Sequence, residues 1–135
     1  MGAWGHGSFD NDDAGDWVWE LEESSDFRVV KTALDAVVSE SDHLEAPACS
    51  EAVAAAEIVA AALGRPVAEL PDEARAWVEE HRDVPPDIAI LARRAVTAIA
   101  DKSELRDLWE ESEYFAQWQS SMADLAARIA GQSGT

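Results

Sequence analysis

Beyond the first dozen residues, apolar positions along the chain recur three and four residues apart. This spacing is that of an amphipathic α-helix, whereas a half-buried strand would alternate at every second residue. No run of alternating β-branched residues interrupts the pattern. The sequence therefore predicts an all-α fold.

Helix start and stop signals divide this pattern into six segments. Prolines at 47, 71 and 86 mark helix starts, and Gly64 before Arg65-Pro66 marks a stop. The predicted helices begin after the acidic cluster 10–13 and then cover about 26–39, 47–63, 71–81, 86–101 and 104–130. The last segment is long for a chain of this size, and a break around Ser112 or Ser120-Ser121 is the alternative to one continuous helix.

These segments predict one domain over residues 1–135. A single compact bundle of about six helices accounts for most of it, because a chain of 135 residues buries one core and is too short for two. Residues 1–12 are expected to form an irregular arm rich in glycine and tryptophan. Residues 131–135 are expected to be a flexible tail.

The charge of the chain restricts its partners. The chain has 28 acidic and 10 basic residues, which gives a net charge of −18. Nucleic acids and anionic membranes both need clustered Lys and Arg, so both are disfavoured as partners. A basic protein, a cation or simple solubility is the better interpretation of this charge.

The chain is predicted to be cytoplasmic. Its start lacks the basic and apolar regions of a signal peptide. The longest apolar run, 52–63, is interrupted by Glu57 and is too short to span a membrane. The lone Cys49 excludes an internal disulfide and fits a reducing compartment.

The residues that most often carry catalysis are sparse. Cys49 lies in an alanine-rich segment and is predicted to be a small buried core residue rather than a nucleophile. Packing or helix capping is expected for His6, and surface exposure for His43 and His81. No cofactor is predicted.

The first 21 residues differ from the rest of the chain. Glycines alternate around Trp4 and His6, so this arm is expected to fold tightly over the bundle, anchored by Trp4 and Phe9. The run MGAWG.G.FDND.A.DW.WEL resembles the opening of a bacterial family catalogued as domain of unknown function number 4259. The resemblance implies a small stand-alone protein without an assigned activity, and it transfers no catalytic residue. The candidates for this motif or for an interaction site are Trp4, His6, Phe9, Asp10, Asn11, Asp12, Trp17 and Trp19.

An acidic cluster follows the arm and offers oxygen ligands for a hard cation. Its members are Asp10, Asp12, Asp13 and Asp16. The spacing departs from a calcium loop, because Ala14 stands where a third oxygen ligand belongs and Leu21 where the bidentate glutamate belongs. Helix capping by these acids is the favoured interpretation, and a metal site is the alternative.

Tryptophan is abundant, with six in 135 residues. Trp17 and Trp19 lie two positions apart, so they do not share one helix face, and one of them is expected near the surface. A surplus of tryptophan on an acidic surface is typical of a face that binds a basic protein, but packing within the bundle is the favoured interpretation of these residues. The sequence thus favours a non-enzymatic interaction module. The alternatives are an immunity or antitoxin-like protein that neutralises a basic partner, a metal-dependent hydrolase that uses the N-terminal aspartates, and a homodimer through the C-terminal helix.

Overall fold

The computed structural model describes residues 12–40, 44–67 and 70–130, in which every regular element is a helix. The all-α prediction is therefore confirmed. The predicted N-terminal arm and C-terminal tail lie outside these residues, apart from the backbone of Asp12. The helices are α1 (Asp12–Glu22), α2 (Arg28–Val38), α3 (Ala46–Ala62), α4 (Asp72–Glu79), α5 (Pro86–Asp101), α6 (Glu104–Glu110) and α7 (Phe115–Ile129).

The C-terminal segment is two helices rather than one. The Ser112 hydroxyl donates to the Trp109 carbonyl oxygen at 2.7 Å and accepts from the Tyr114 amide at 3.1 Å. It thereby competes with the helical backbone bonds at the end of α6. The break lies at the first of the two predicted places and raises the number of described helices to seven.

Helix α3 is the centre of the bundle and packs against each of the other six helices. Its sequence is alanine-rich, and small side chains let neighbouring helices approach closely. All but one of its residues from Cys49 to Ala62 are buried. The helix ends at Gly64, whose φ of +94° is adopted readily by glycine alone, with Arg65 N–H donating to the Ala60 oxygen.

A buried ion pair joins α3 to α7. The Glu57 side chain is only 2% exposed, and its two carboxylate oxygens accept hydrogen bonds from Arg128 at 2.8 and 3.2 Å. Arg128 also donates to Asp124 at 2.7 Å and to the Arg65 carbonyl oxygen at 3.1 Å. Burial opposes the charge on Arg128, yet the hydrogen bonds that it donates to Glu57 and then to Asp124 raise its pKa above the ordinary value.

The apolar stripe of α7 faces the core of its own chain. Trp118, Met122, Leu125 and Ile129 are all buried. The homodimer through this helix stays a prediction, and these four side chains are already used within the chain. None of the helices in the described ranges has the length and apolar character needed to cross a bilayer.

Candidate functional site

One face of α1 borders an open groove against the start of α4. Gly15, Val18, Trp19 and Glu22 are spaced three and four apart, which places them on the same side of the helix. Pro71 and Glu73 form the opposite wall, and the space between the walls is about 430 Å³. We call this feature the α1–α4 groove.

Trp19 is the most exposed large hydrophobic side chain in the described part of the chain. It is 73% exposed, compared with 59% for Ile90 and 49% for Tyr114. Trp17, two positions earlier, is 2% exposed. The prediction that one of these two tryptophans lies at the surface is confirmed. The exposed indole lies at the edge of the groove.

The groove is strongly acidic. Helix α1 carries five acids and no base, and α4 carries three acids and one base. Glu22 and Glu73, one on each wall, are exposed and form no ion pair with any described residue. The groove therefore combines an exposed aromatic ring with two exposed carboxylates that no described residue neutralises.

Contacts between α4 and the loop after α1 hold the two walls together. Trp77 on α4 donates its Nε1–H to the Ser24 carbonyl oxygen at 2.9 Å. The His81 ring stacks on Trp77 with centroids 3.9 Å apart, and its nitrogens lie 2.7 Å from the Trp77 oxygen and 3.0 Å from the Ser25 oxygen. The Phe27 ring meets Trp77 edge-on. These contacts fix the position of α4 against the loop that follows α1.

His81 corrects a prediction. It is half-buried rather than on the open surface, because it packs between Trp77 and the loop that follows α1. The exposure expected for His43 falls outside the described residues.

A second group of acids lies where α1 packs against α3. Glu51 of α3 is half-buried. Burial raises the pKa of its carboxyl, and the negative charges of Glu20, Asp13 and Asp16 raise it further. Ionisation of Glu51 is therefore less favourable in the folded protein than in the unfolded chain.

Glu51→Gln is expected to raise the melting temperature at pH 7 by about 2 °C, the size typical of a surface charge change. Because the folded protein binds the Glu51 proton more tightly than the unfolded chain, this residue favours folding at low pH and disfavours it as pH rises through the raised pKa. The gain in melting temperature should disappear below pH 4.5, which is the ordinary pKa of a glutamate carboxyl. Thermal denaturation from pH 4 to 8 measures it. Glu113→Gln, an exposed charge on another surface, is the control, and an equal effect of both variants would contradict the account.

The other candidate site residues divide by position. Trp4, His6, Phe9, Asp10 and Asn11 lie outside the described residues, and Asp12 contributes only its backbone, at the start of α1. Asp13 is half-buried and Asp16 is exposed. In the ranges that the structure describes, no three His, Cys, Asp or Glu side chains are arranged to hold a metal ion. The metal site that includes Asp10 and Asp12 stays a prediction.

Cys49 is confirmed as a core residue. It is buried, and burial raises the pKa of its thiol to about 11, although a hydrogen bond with Ser103 opposes the shift. Since the thiolate is the reactive form, this side chain is a poor nucleophile at neutral pH.

A second groove, on α5, has the opposite character. Its volume is about 510 Å³, and it is bordered by Ile90, by the exposed residues Arg93 and Arg94, and by one acid, Asp101. Two adjacent arginines repel a basic partner. The two grooves therefore differ in the partners that they suit, and the α1–α4 groove is the one that matches a basic protein.

The fold and the groove define a small acidic helical protein with an aromatic and carboxylate-lined surface. The family model described as Domain of unknown function (DUF4259) matches residues 2–121, and the chain belongs to this family. The match confirms the family that the sequence was predicted to resemble. No curated protein matches the chain. No solved structure matches it either.

Proposed function

We propose that this chain is a non-enzymatic protein-interaction module whose α1–α4 groove binds a basic segment of a partner protein. The observation that carries the proposal is Trp19, which is 73% exposed and borders a groove that the exposed residues Glu22 and Glu73 also line. A folded chain leaves so large an apolar side chain in water at a cost, and a partner that covers it recovers that cost.

The chemistry of the groove selects the partner. A lysine or arginine placed over an indole face is attracted by the ring quadrupole, with Trp the strongest of the aromatic residues in this respect. Glu22 and Glu73 add charge complementarity from both walls. The half-buried ring of Pro71 on the opposite wall suits the aliphatic stem of the same cation.

Trp19→Ala is expected to weaken binding of a basic peptide by roughly tenfold or more, the loss typical of a central aromatic contact. The probe is a fluorescein-labelled decapeptide of alternating arginine and glycine, titrated at low and physiological salt and followed by fluorescence anisotropy. Binding should weaken as salt rises. The corresponding glutamate and glycine peptide should not bind.

Tyr114→Ala is the matched control, because Tyr114 is the other strongly exposed aromatic residue of the described chain and lies outside the groove. It is expected to bind the peptide like the unmodified protein. Equal affinities for Trp19→Ala and the unmodified protein would show that binding, if present, uses another surface, and would end the proposal.

The immunity or antitoxin-like interpretation is a narrower form of the same proposal, in which the basic partner is a toxin. It predicts that the partner loses its toxicity when co-expressed with this chain, and that Trp19→Ala restores toxicity. A cytoplasmic location is part of the proposal. No observation on the described residues favours the metal-dependent hydrolase over this function.

A further inference from the structure

We infer that Gly15 is a specificity-determining residue of the α1–α4 groove, where it leaves room for the backbone of a bound segment to cross close to α1. The inference rests on the proposed function and states what kind of segment the groove accepts. That segment is an extended basic peptide, with a small residue at the crossing point and an arginine or lysine beside it on Trp19.

The first observation is that the described part of the fold does not require a glycine at this position. Gly15 lies inside α1, and its φ is not positive. A methyl group added there would meet no described atom within 4 Å. Gly64 differs, because its φ of +94° ends α3. Within a helix, glycine is less stable than alanine, since it loses more backbone freedom on folding. Gly15 therefore carries a cost that neither its backbone geometry nor its packing against the described residues explains.

The second observation is where this glycine lies. Gly15 is one helical turn before Trp19 and borders the same groove. A glycine on a helix surface exposes the backbone and lets another chain approach it closely. The groove thus lacks a side chain at Gly15, one helical turn before the exposed indole of Trp19.

The third observation is the charge around this gap. Glu22 continues the same face one turn beyond Val18, and Glu73 stands on the opposite wall. A chain that crosses at Gly15 brings its next side chains between these carboxylates. Carboxylates on both walls favour a basic side chain there and disfavour an acidic one. An extended segment fits this arrangement, because its backbone can cross at Gly15 while its next side chain reaches the carboxylates of Glu22 and Glu73.

The test is to substitute Gly15 by Ala and to measure stability and binding on the same protein. We expect the melting temperature to rise by about 4 °C, because alanine favours the helix and meets no clash. We expect the affinity for the arginine and glycine decapeptide to fall by roughly tenfold. Gly15→Leu should keep the helix folded and weaken binding further. A position that served only the fold would not gain stability while losing affinity.

Thr32→Ala is the matched control. Thr32 is an exposed residue of α2 away from the groove, and alanine is again the better helix former. This variant should gain stability and bind the peptide normally. If Gly15→Ala binds normally while Trp19→Ala loses binding, the inference about Gly15 is wrong and the proposed function stands. If Trp19→Ala also binds normally, both are wrong.

Discussion

Arg128→Met is expected to lower the free energy of unfolding by about 3–5 kcal/mol, the cost of removing one partner from a buried ion pair. Glu57 is 2% exposed and would lose both hydrogen bonds to the guanidinium. Its carboxylate would remain inside the bundle, where charge is poorly solvated. The link from α7 to the Arg65 carbonyl oxygen would be lost as well. Urea denaturation followed by circular dichroism measures the change.

The double variant Glu57→Leu with Arg128→Met distinguishes the effect of the unpaired charge from the effect of changed packing. It replaces both charged groups by apolar ones of similar size, so it should recover most of the stability lost in Arg128→Met. A loss below about 1 kcal/mol in Arg128→Met would place the pair among ordinary surface ion pairs and contradict its structural role.

Trp17→Ala is expected to cost about 3–5 kcal/mol of stability, as large-to-small changes of buried aromatic residues do. Trp17 is 2% exposed and lies on the face of α1 that packs against the bundle with Ala14, Val18 and Leu21. Trp19→Ala, two positions later, should change stability by less than about 0.5 kcal/mol, because its ring lies largely in water. The two variants have the same composition, which makes them a matched pair.

Thermal and urea denaturation of both variants measure this difference. The two variants distinguish a tryptophan that stabilises the fold from one that binds a partner. Trp17→Ala should unfold easily, whereas Trp19→Ala should fold normally and fail to bind the basic peptide. A large loss of stability in Trp19→Ala would mean that its indole packs against the protein. Its role as a partner-binding residue would then lose its support.

The local pattern was enough to predict the helices. The face formed by Ala14, Trp17, Val18 and Leu21 is buried as a unit, because the spacing of apolar residues determines which side of a helix faces the core. The stop of α3 at Gly64 also followed from local chemistry, because glycine adopts a positive φ readily. The break at Ser112 was one of two alternatives suggested by the length of the segment, and the structure shows the hydroxyl bond to the backbone that accompanies it.

Contacts between distant parts of the chain could not be predicted. In the sequence Glu57 interrupts an apolar run, and its partner lies 71 residues away. His81 was expected at the surface, but it reaches a carbonyl oxygen 56 residues away. The groove has the same origin, because α1 supplies Trp19 and a segment some fifty residues later supplies Pro71 and Glu73. The sequence thus indicated an exposed tryptophan, but not the wall opposite it.

The most direct test of the proposed function compares two double variants of equal charge by peptide titration. Glu22→Gln with Glu73→Gln removes two carboxylates from the groove, and Glu111→Gln with Glu113→Gln removes two exposed carboxylates elsewhere. For the arginine and glycine decapeptide, we predict a loss of affinity of roughly tenfold or more in the groove variant. The other variant should lose less than about twofold, since distant charges are screened by salt. Equal losses in both would show that the peptide senses only the overall charge, and would contradict a binding site in the α1–α4 groove.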